Sequence, residues 1–232
     1  FEDRGAVVAE PFRQWVIEDR FAAERPAWEA GGAELVGDVA PYELMKLRLL
    51  NAAHSTLAYL GRLLGHDYVH QAIGDRRLRA AVERLWAEAA PTVPVPTADY
   101  RRALIERFAN PALNHRLLQI AMDGSQKLPQ RVLAGLRERL ARGEPIDALA
   151  LTVAGWMRFI VLSDSLDDPL GAELKRRARG TPAEVVSGVL GLAAVFGADL
   201  AGAKPLVAAT TRWLEALTAS PAAALEKGVG HA

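Results

Sequence analysis

From about residue 40 to about residue 219 the chain is a succession of stretches in which apolar residues recur at helical spacing, each closing near a Gly, Pro or Asn. That pattern leaves room for little besides a multi-helical domain. Helices are expected over about 40–65, 75–89, 98–108, 112–122, 127–142, 146–161, 168–178, 181–196 and 203–219. Ahead of them, residues 6–9 and 13–19 are short runs rich in Val, Ile, Trp and Phe with Pro11 as a breaker, and Gly31, Gly32 and Gly37 punctuate Glu34-Leu-Val36. Such runs read as extended segments. The expected fold is mainly α, with short extended segments over about 6–36. Pro91-Thr-Val-Pro-Val-Pro96 reads as a stiff extended connector, the one plausible internal linker. A single domain over 1–232 is still expected, because the helices on both sides carry broad apolar stripes that need partners.

Charge removes several function classes. Lys plus Arg and Asp plus Glu each number 28, so no global field favours nucleic acid or an anionic membrane as a partner. The chain has no cysteine, which excludes disulfides, thiol catalysis and cysteine-ligated metals. Val185 to Leu200 is the longest apolar, Ala/Gly-rich region, but Glu184 and Asp199 flank it closely. It is expected to be a buried helix or helix pair, and the cytoplasm is the default location.

The stretch with most chemistry is Tyr42-Glu-Leu-Met-Lys-Leu-Arg-Leu-Leu-Asn-Ala-Ala-His54. Asp38 can cap it, and Pro41 sits near its first turn. At about 100° per residue, Asn51 lies roughly 140° around the axis from Lys46 and His54 roughly 80°, so the three polar groups share less than half the circumference. Leu44, Leu47, Leu50 and Leu57 make the surroundings apolar. A lysine in a partly dry pocket loses pKa, because desolvation disfavours the charged form, and can then take a hydroxyl proton near neutral pH. The ordinary alternative is a lysine on a solvated face and a structural histidine.

The run Lys46-x4-Asn51-x2-His54 resembles the signature of the polyol-specific long-chain dehydrogenases, the mannitol dehydrogenase family, which includes the fructuronate reductases (mannonate oxidoreductases). Three further stretches resemble the same family in the same order: Glu10-Pro-Phe-Arg-Gln-Trp-Val-Ile-Glu-Asp19, Gly37-Asp-Val-Ala-Pro-Tyr42, and Gln119-Ile-Ala-Met-Asp-Gly-Ser-Gln-Lys-Leu-Pro-Gln-Arg131. The resemblance covers most of residues 1–215. It implies that this is the helical C-terminal domain of a dehydrogenase whose N-terminal Rossmann domain binds NAD, with NADP also open. That domain is expected to be missing here, since the chain starts at Phe1 without Met and contains no G-x-G-x-x-G. On its own the chain is then expected to be inactive.

By the same resemblance the reaction interconverts a secondary alcohol of a mannitol-like polyol, or of its sugar acid D-mannonate, with the 2-keto sugar fructose or fructuronate. Arabinitol and xylulose are a third pair. Lys46 is implied as the general acid/base, so no metal is required. Asn51 would donate its amide to the reacting oxygen, alongside a second asparagine from the Rossmann domain. His54 would bond a neighbouring hydroxyl and Glu43 would relay protons to solvent. Lys127 would contact the sugar chain. Eight residues earlier, where mannitol-oxidising relatives carry an arginine, this chain has Gln119, a departure that counts against mannitol. The wording of the stretch is closer to the mannonate oxidoreductases, with Arg116, Lys127 or Arg131 available for a carboxylate. The expected partner is a small polyol, ketose or sugar acid, with no nucleic acid and no membrane, and the expected state is a monomer packed against its own Rossmann domain.

Other features weigh less. His66 and His70 are four apart, but Gly65 precedes them and no third ligand is in register. The five tryptophans read as core or interdomain packing, with Trp15 near the junction the family implies. Ser163 to Asp168 reads as an acidic loop or cap without a nucleophile elbow. The tail from Ala222 is expected to fray. A reading of another class stays open: a non-catalytic helical interaction domain that kept the architecture alone.

Overall fold

Two short strands open the architecture. In the computed structural model, which describes residues 4–5, 9–10 and 12–227, β1 (Trp15–Glu18) and β2 (Ala33–Val36) pair in parallel, Trp15 opposite Ala33 and Glu18 opposite Val36. They realise the extended segments expected at 13–19 and 34–36. Of the segment expected at 6–9, residues 6–8 lie outside the described residues, as does Pro11.

The remainder is helical, as expected. A long rod comes first, made of α1 (Ala40–Met45), a π-helical turn (Lys46–Asn51) and α2 (Ala52–Leu63). Next are α3 (Val69–Gly74), α4 (Arg76–Ala89) and α5 (Ala98–Phe108). After them α6 (Leu117–Ala121) and α7 (Gly124–Leu128) lead into a second π-helical turn (Pro129–Leu133) and α8 (Ala134–Ala141). The last group is α9 (Asp147–Leu162), α10 (Gly171–Arg177), α11 (Pro182–Leu190), α12 (Ala193–Ala201), α13 (Lys204–Ala219) and α14 (Pro221–Glu226).

α2 is the axis of the core. Leu57, Ala58, Tyr59 and Leu60 have no exposed surface, and each large side chain contributes about 1.5–3 kcal/mol by leaving water. The helix packs against α9, where a Cβ on Gly155 would come within 2.6 Å of Leu60. That crossing needs glycine. α9 is itself almost wholly buried, from Ala148 to Met157.

Several boundaries depart from the periodic reading. The helix expected over 112–122 shortens to α6, because Arg116 pairs with Tyr68 in an antiparallel bridge and the Leu117 N–H donates to the Asp67 carbonyl. The helix expected over 181–196 breaks near Leu192, so α11 and α12 meet at a 105° bend, the helix pair anticipated for the Ala/Gly-rich region. No single described helix is long and apolar enough to cross a membrane. The tail from Ala222 is ordered as α14 through Glu226, with the Ser220 hydroxyl accepting the Ala223 N–H at 3.2 Å. Thr92 and Val93 in the proline-rich connector are buried, and the Thr92 carbonyl accepts Arg48 Nη1 at 2.7 Å. That stretch is seated on the core and does not behave as a linker.

Candidate active site

The first π-helical turn carries the Lys46 and Asn51 expectations, and it corrects the regular-helix geometry from which their angular relation was read. A π turn winds wider than an α turn and closes N–H bonds five residues back. Here the Ala52 N–H reaches the carbonyl of Leu47. Arg48 fixes the turn from behind. Its side chain is 4% exposed, its Nη1 donates to Glu138 Oε2 at 2.9 Å, and its Nη2 makes a second bond to the same carboxylate. The guanidinium holds the Glu138 carboxyl below the usual range.

Lys46 is exposed on this chain, and so is Glu43. The partly dry pocket expected around the lysine is therefore not built by these residues. Asn51 and His54 are half-buried.

His54 is the best enclosed group of the trio. Its ring lies 4.7 Å from that of Phe108 and 6.3 Å from that of His115. Burial, reinforced by His115, Arg131 and Arg107, pulls its pKa down to about 3, so at neutral pH it is a neutral donor and acceptor. Glu10 stands behind this cluster. Its carboxylate takes two bonds from Arg107, at 2.6 and 2.9 Å, and the same guanidinium lies 3.8 Å from the centre of the Phe12 ring.

His54 opens onto a cavity of about 290 Å³ lined by His115, Arg116, Gln119, Ile120, Lys127 and Arg131. Thus five residues singled out from sequence, His54, Arg116, Gln119, Lys127 and Arg131, are brought together. Lys46, Asn51 and Glu43 do not line it. Three of the lining side chains are cations by type and none is a carboxylate. A larger cavity of about 680 Å³ adjoins it, sharing Arg116 and Gln119 as a wall.

The break between α6 and α7 sets Lys127. Asp123 adopts a left-handed φ of 54°, and its N–H donates to the Asp167 carbonyl at 2.9 Å. Asp168 then accepts the Ser125 N–H at 2.8 Å and the Ser125 hydroxyl at 2.6 Å, so the acidic loop is indeed a cap, built across the fold. Gly124 is required here, because a Cβ would overlap the Trp156 indole nitrogen and lie 2.8 Å from the Tyr59 hydroxyl. Lys127 Nζ donates to the Ile120 carbonyl at 3.3 Å, with Asp123 Oδ2 at 4.0 Å. Partial burial and the nearby Arg131 lower its pKa.

Arg131 is half-buried and reaches the rod. Its Nη1 donates to the Asn51 carbonyl at 3.4 Å and to the Ser55 hydroxyl at 3.2 Å. Pro129, which has no N–H to give, opens the π turn that aims Arg131 this way.

Sequence reasoning missed His115, Ser55 and Arg48. His115 is placed by long-range pairing, its carbonyl accepting the Val69 N–H at 3.0 Å, and its only local signal was nearness to the Gln119 stretch. The two histidines at 66 and 70 are used elsewhere: His66 Nε2 is 3.3 Å from Asp75 Oδ2, and His70 stacks on Tyr68 with ring centres 5.6 Å apart.

Comparison with known proteins gives this geometry a context. The sequence model of the mannitol dehydrogenase C-terminal domain matches residues 38–218. The chain is 48% identical over 210 residues to the uncharacterized oxidoreductase YdfI of Escherichia coli (strain K12), covering 85% of this chain and 43% of that protein. It is 46% identical over 221 residues to the D-mannonate oxidoreductase of the same organism, covering 90% and 46%. Among solved structures, the Pseudomonas fluorescens mannitol 2-dehydrogenase in ternary complex with NAD and D-mannitol superposes with a TM-score of 0.86 at 30% identity, covering 96% of this chain and 48% of that one. The chain spans less than half the length of these relatives.

Proposed function

This chain belongs to the mannitol dehydrogenase family, and we propose that it is the substrate-binding and catalytic domain of an NAD(H)-dependent dehydrogenase acting on a sugar acid, interconverting D-mannonate and fructuronate. The observation that carries this reading is the small cavity beside His54, where Arg116, Lys127 and Arg131 converge without a lining carboxylate. A carboxylate fits that electrostatic environment better than a neutral polyol end does. The 46% identity to a D-mannonate oxidoreductase supports the same choice.

The roles are those that the family resemblance implies. Lys46 accepts the hydroxyl proton in oxidation and returns it in reduction, and the Asn51 amide donates to the same oxygen. His54, held neutral, bonds a hydroxyl further along the substrate. Lys127 and Arg131 hold the far end and its carboxylate, with Gln119 as a neutral neighbour. Glu43, exposed close to Lys46, passes the proton to solvent. The chemistry described here uses lysine and needs no metal.

No G-x-G-x-x-G is present, so the cofactor phosphates find no cradle on these residues and are assigned to the remaining part of the full-length protein. When bound, the nicotinamide supplies the hydride acceptor. The exposed Lys46 and the exposed Trp15, which is 57% accessible, are both residues that the cofactor domain covers in this reading.

The test is NADH oxidation by the full-length protein offered fructuronate and fructose in parallel. Preference for fructuronate is expected. Preference for fructose would reject the carboxylate assignment, and no turnover of either would favour a non-catalytic domain.

A further inference from the structure

The Lys46–Asn51 turn is held by a side chain that plays no part in the roles above. Trp86 on α4 donates its indole N–H to the Leu49 carbonyl at 2.9 Å. Leu49 has no exposed surface and Trp86 is 3% exposed, so water cannot take the place of either partner.

The backbone bonding at the end of this turn is irregular. The Ala52 N–H is divided between the carbonyl of Leu47, five residues back, and that of Leu49, three residues back. A buried carbonyl that is bonded off the regular ladder gains from a second donor, and without one the ordinary alternative is α-helix, where every carbonyl has its donor four residues on. An indole is donor only, and inserting a donor into the ladder is one of the recognised causes of such a distortion. α4 brings it there by ordinary amphipathic packing, with Leu78, Val82, Leu85, Trp86 and Ala89 all buried.

We infer that Trp86 is a positioning residue for the reaction: its N–H keeps residues 46–51 in the π form, and so sets where Lys46 and Asn51 stand relative to one another. The inference rests on the reading that Lys46 takes the proton and Asn51 holds the oxygen. Rewinding to α-helix would rotate one against the other by a fraction of a turn while leaving the core packed.

The experiment compares two tryptophan variants of the full-length protein. Trp86→Phe keeps an aromatic ring and removes the donor. Trp213→Phe makes the same deletion on α13, where the indole N–H meets Asp147 Oδ1 at 2.9 Å and the ring lies 5.6 Å from the Arg84 guanidinium of α4, with no bond to the Lys46–Asn51 turn. For Trp86→Phe we expect kcat to fall roughly tenfold to a hundredfold, the loss that a misplacement on the order of 1 Å produces. The KM for NADH should stay put, and the apparent pKa in the kcat profile should move. Trp213→Phe should keep kcat within about twofold.

An unchanged kcat and pH profile in Trp86→Phe would overturn the inference, as would an equal loss in Trp213→Phe. A Trp86→Phe protein without a cooperative melt would make the bond a requirement of the fold and overturn it too. Lys46→Ala, measured in parallel, separates the two layers. If that variant keeps full turnover, the reading of Lys46 fails and this inference with it; if it is inactive while Trp86→Phe is unaffected, only the role of Trp86 fails.

Discussion

Arg131 Nη1 donates to the main-chain carbonyl of Asn51 across 80 residues of sequence, 3.4 Å from the turn that also carries Lys46. It joins the two π-helical turns, and the same side chain lines the cationic cavity. In the proposed reading, substrate held at Lys127 and Arg131 is in direct mechanical contact with the Asn51 turn.

Arg131→Met removes a charged donor at a half-buried position, a change of about 1.5–3 kcal/mol for hydrogen bonds of this kind. The expected outcome is a KM for the keto acid raised roughly tenfold to a hundredfold, with a smaller fall in kcat. Steady-state kinetics on the full-length protein check it. An unchanged KM would remove Arg131 from the substrate site.

His54 makes a prediction in pH. Its folded pKa is depressed to about 3 from 6.5, so the unfolded chain binds the proton more readily than the native one. Its neutral form therefore stabilises the fold fully above pH ~6.5, and stability is lost as pH falls from there toward 3, by up to about 5 kcal/mol at about 1.4 kcal/mol per unit. His54→Gln should lack this loss. The difference in melting temperature between variant and native protein should shift in favour of the variant as pH drops through that window, and a constant difference would show that the imidazole is not enclosed.

Gly124→Ala forces a Cβ against Trp156 and Tyr59. Overpacking of this sort costs about 1–3 kcal/mol. Because Asp123, Gly124 and Ser125 form the bend that aims Lys127, a raised KM should accompany the lowered melting temperature. A lowered melting temperature with unaltered KM would place Lys127 outside the substrate site.

These sites were legible to different depths. The helix at 98–108 could be read to the residue because local pattern and breakers define it, and Lys127 stood out only because its stretch resembles the family. The π turn at Lys46 was not legible, since its irregularity depends on Trp86, a donor 37 residues away. Arg48 sat unnoticed in an apolar run because its partner Glu138 lies 90 residues on. The exposure of Lys46 could not be read either. Solvation is a property of the assembled surface, and a residue pattern on one helix carries no information about what stands in front of it.

Every role proposed for this site depends on Lys46 carrying the proton. Its most direct test is kcat for fructuronate reduction by the full-length Lys46→Ala protein, with a thermal melt alongside. A fall of roughly 10²–10⁴-fold is expected, the usual contribution of a positioned acid/base, with a nearly unchanged melt because the side chain is exposed on this domain. A rate within about tenfold of the native protein, in a variant that melts normally, would contradict it.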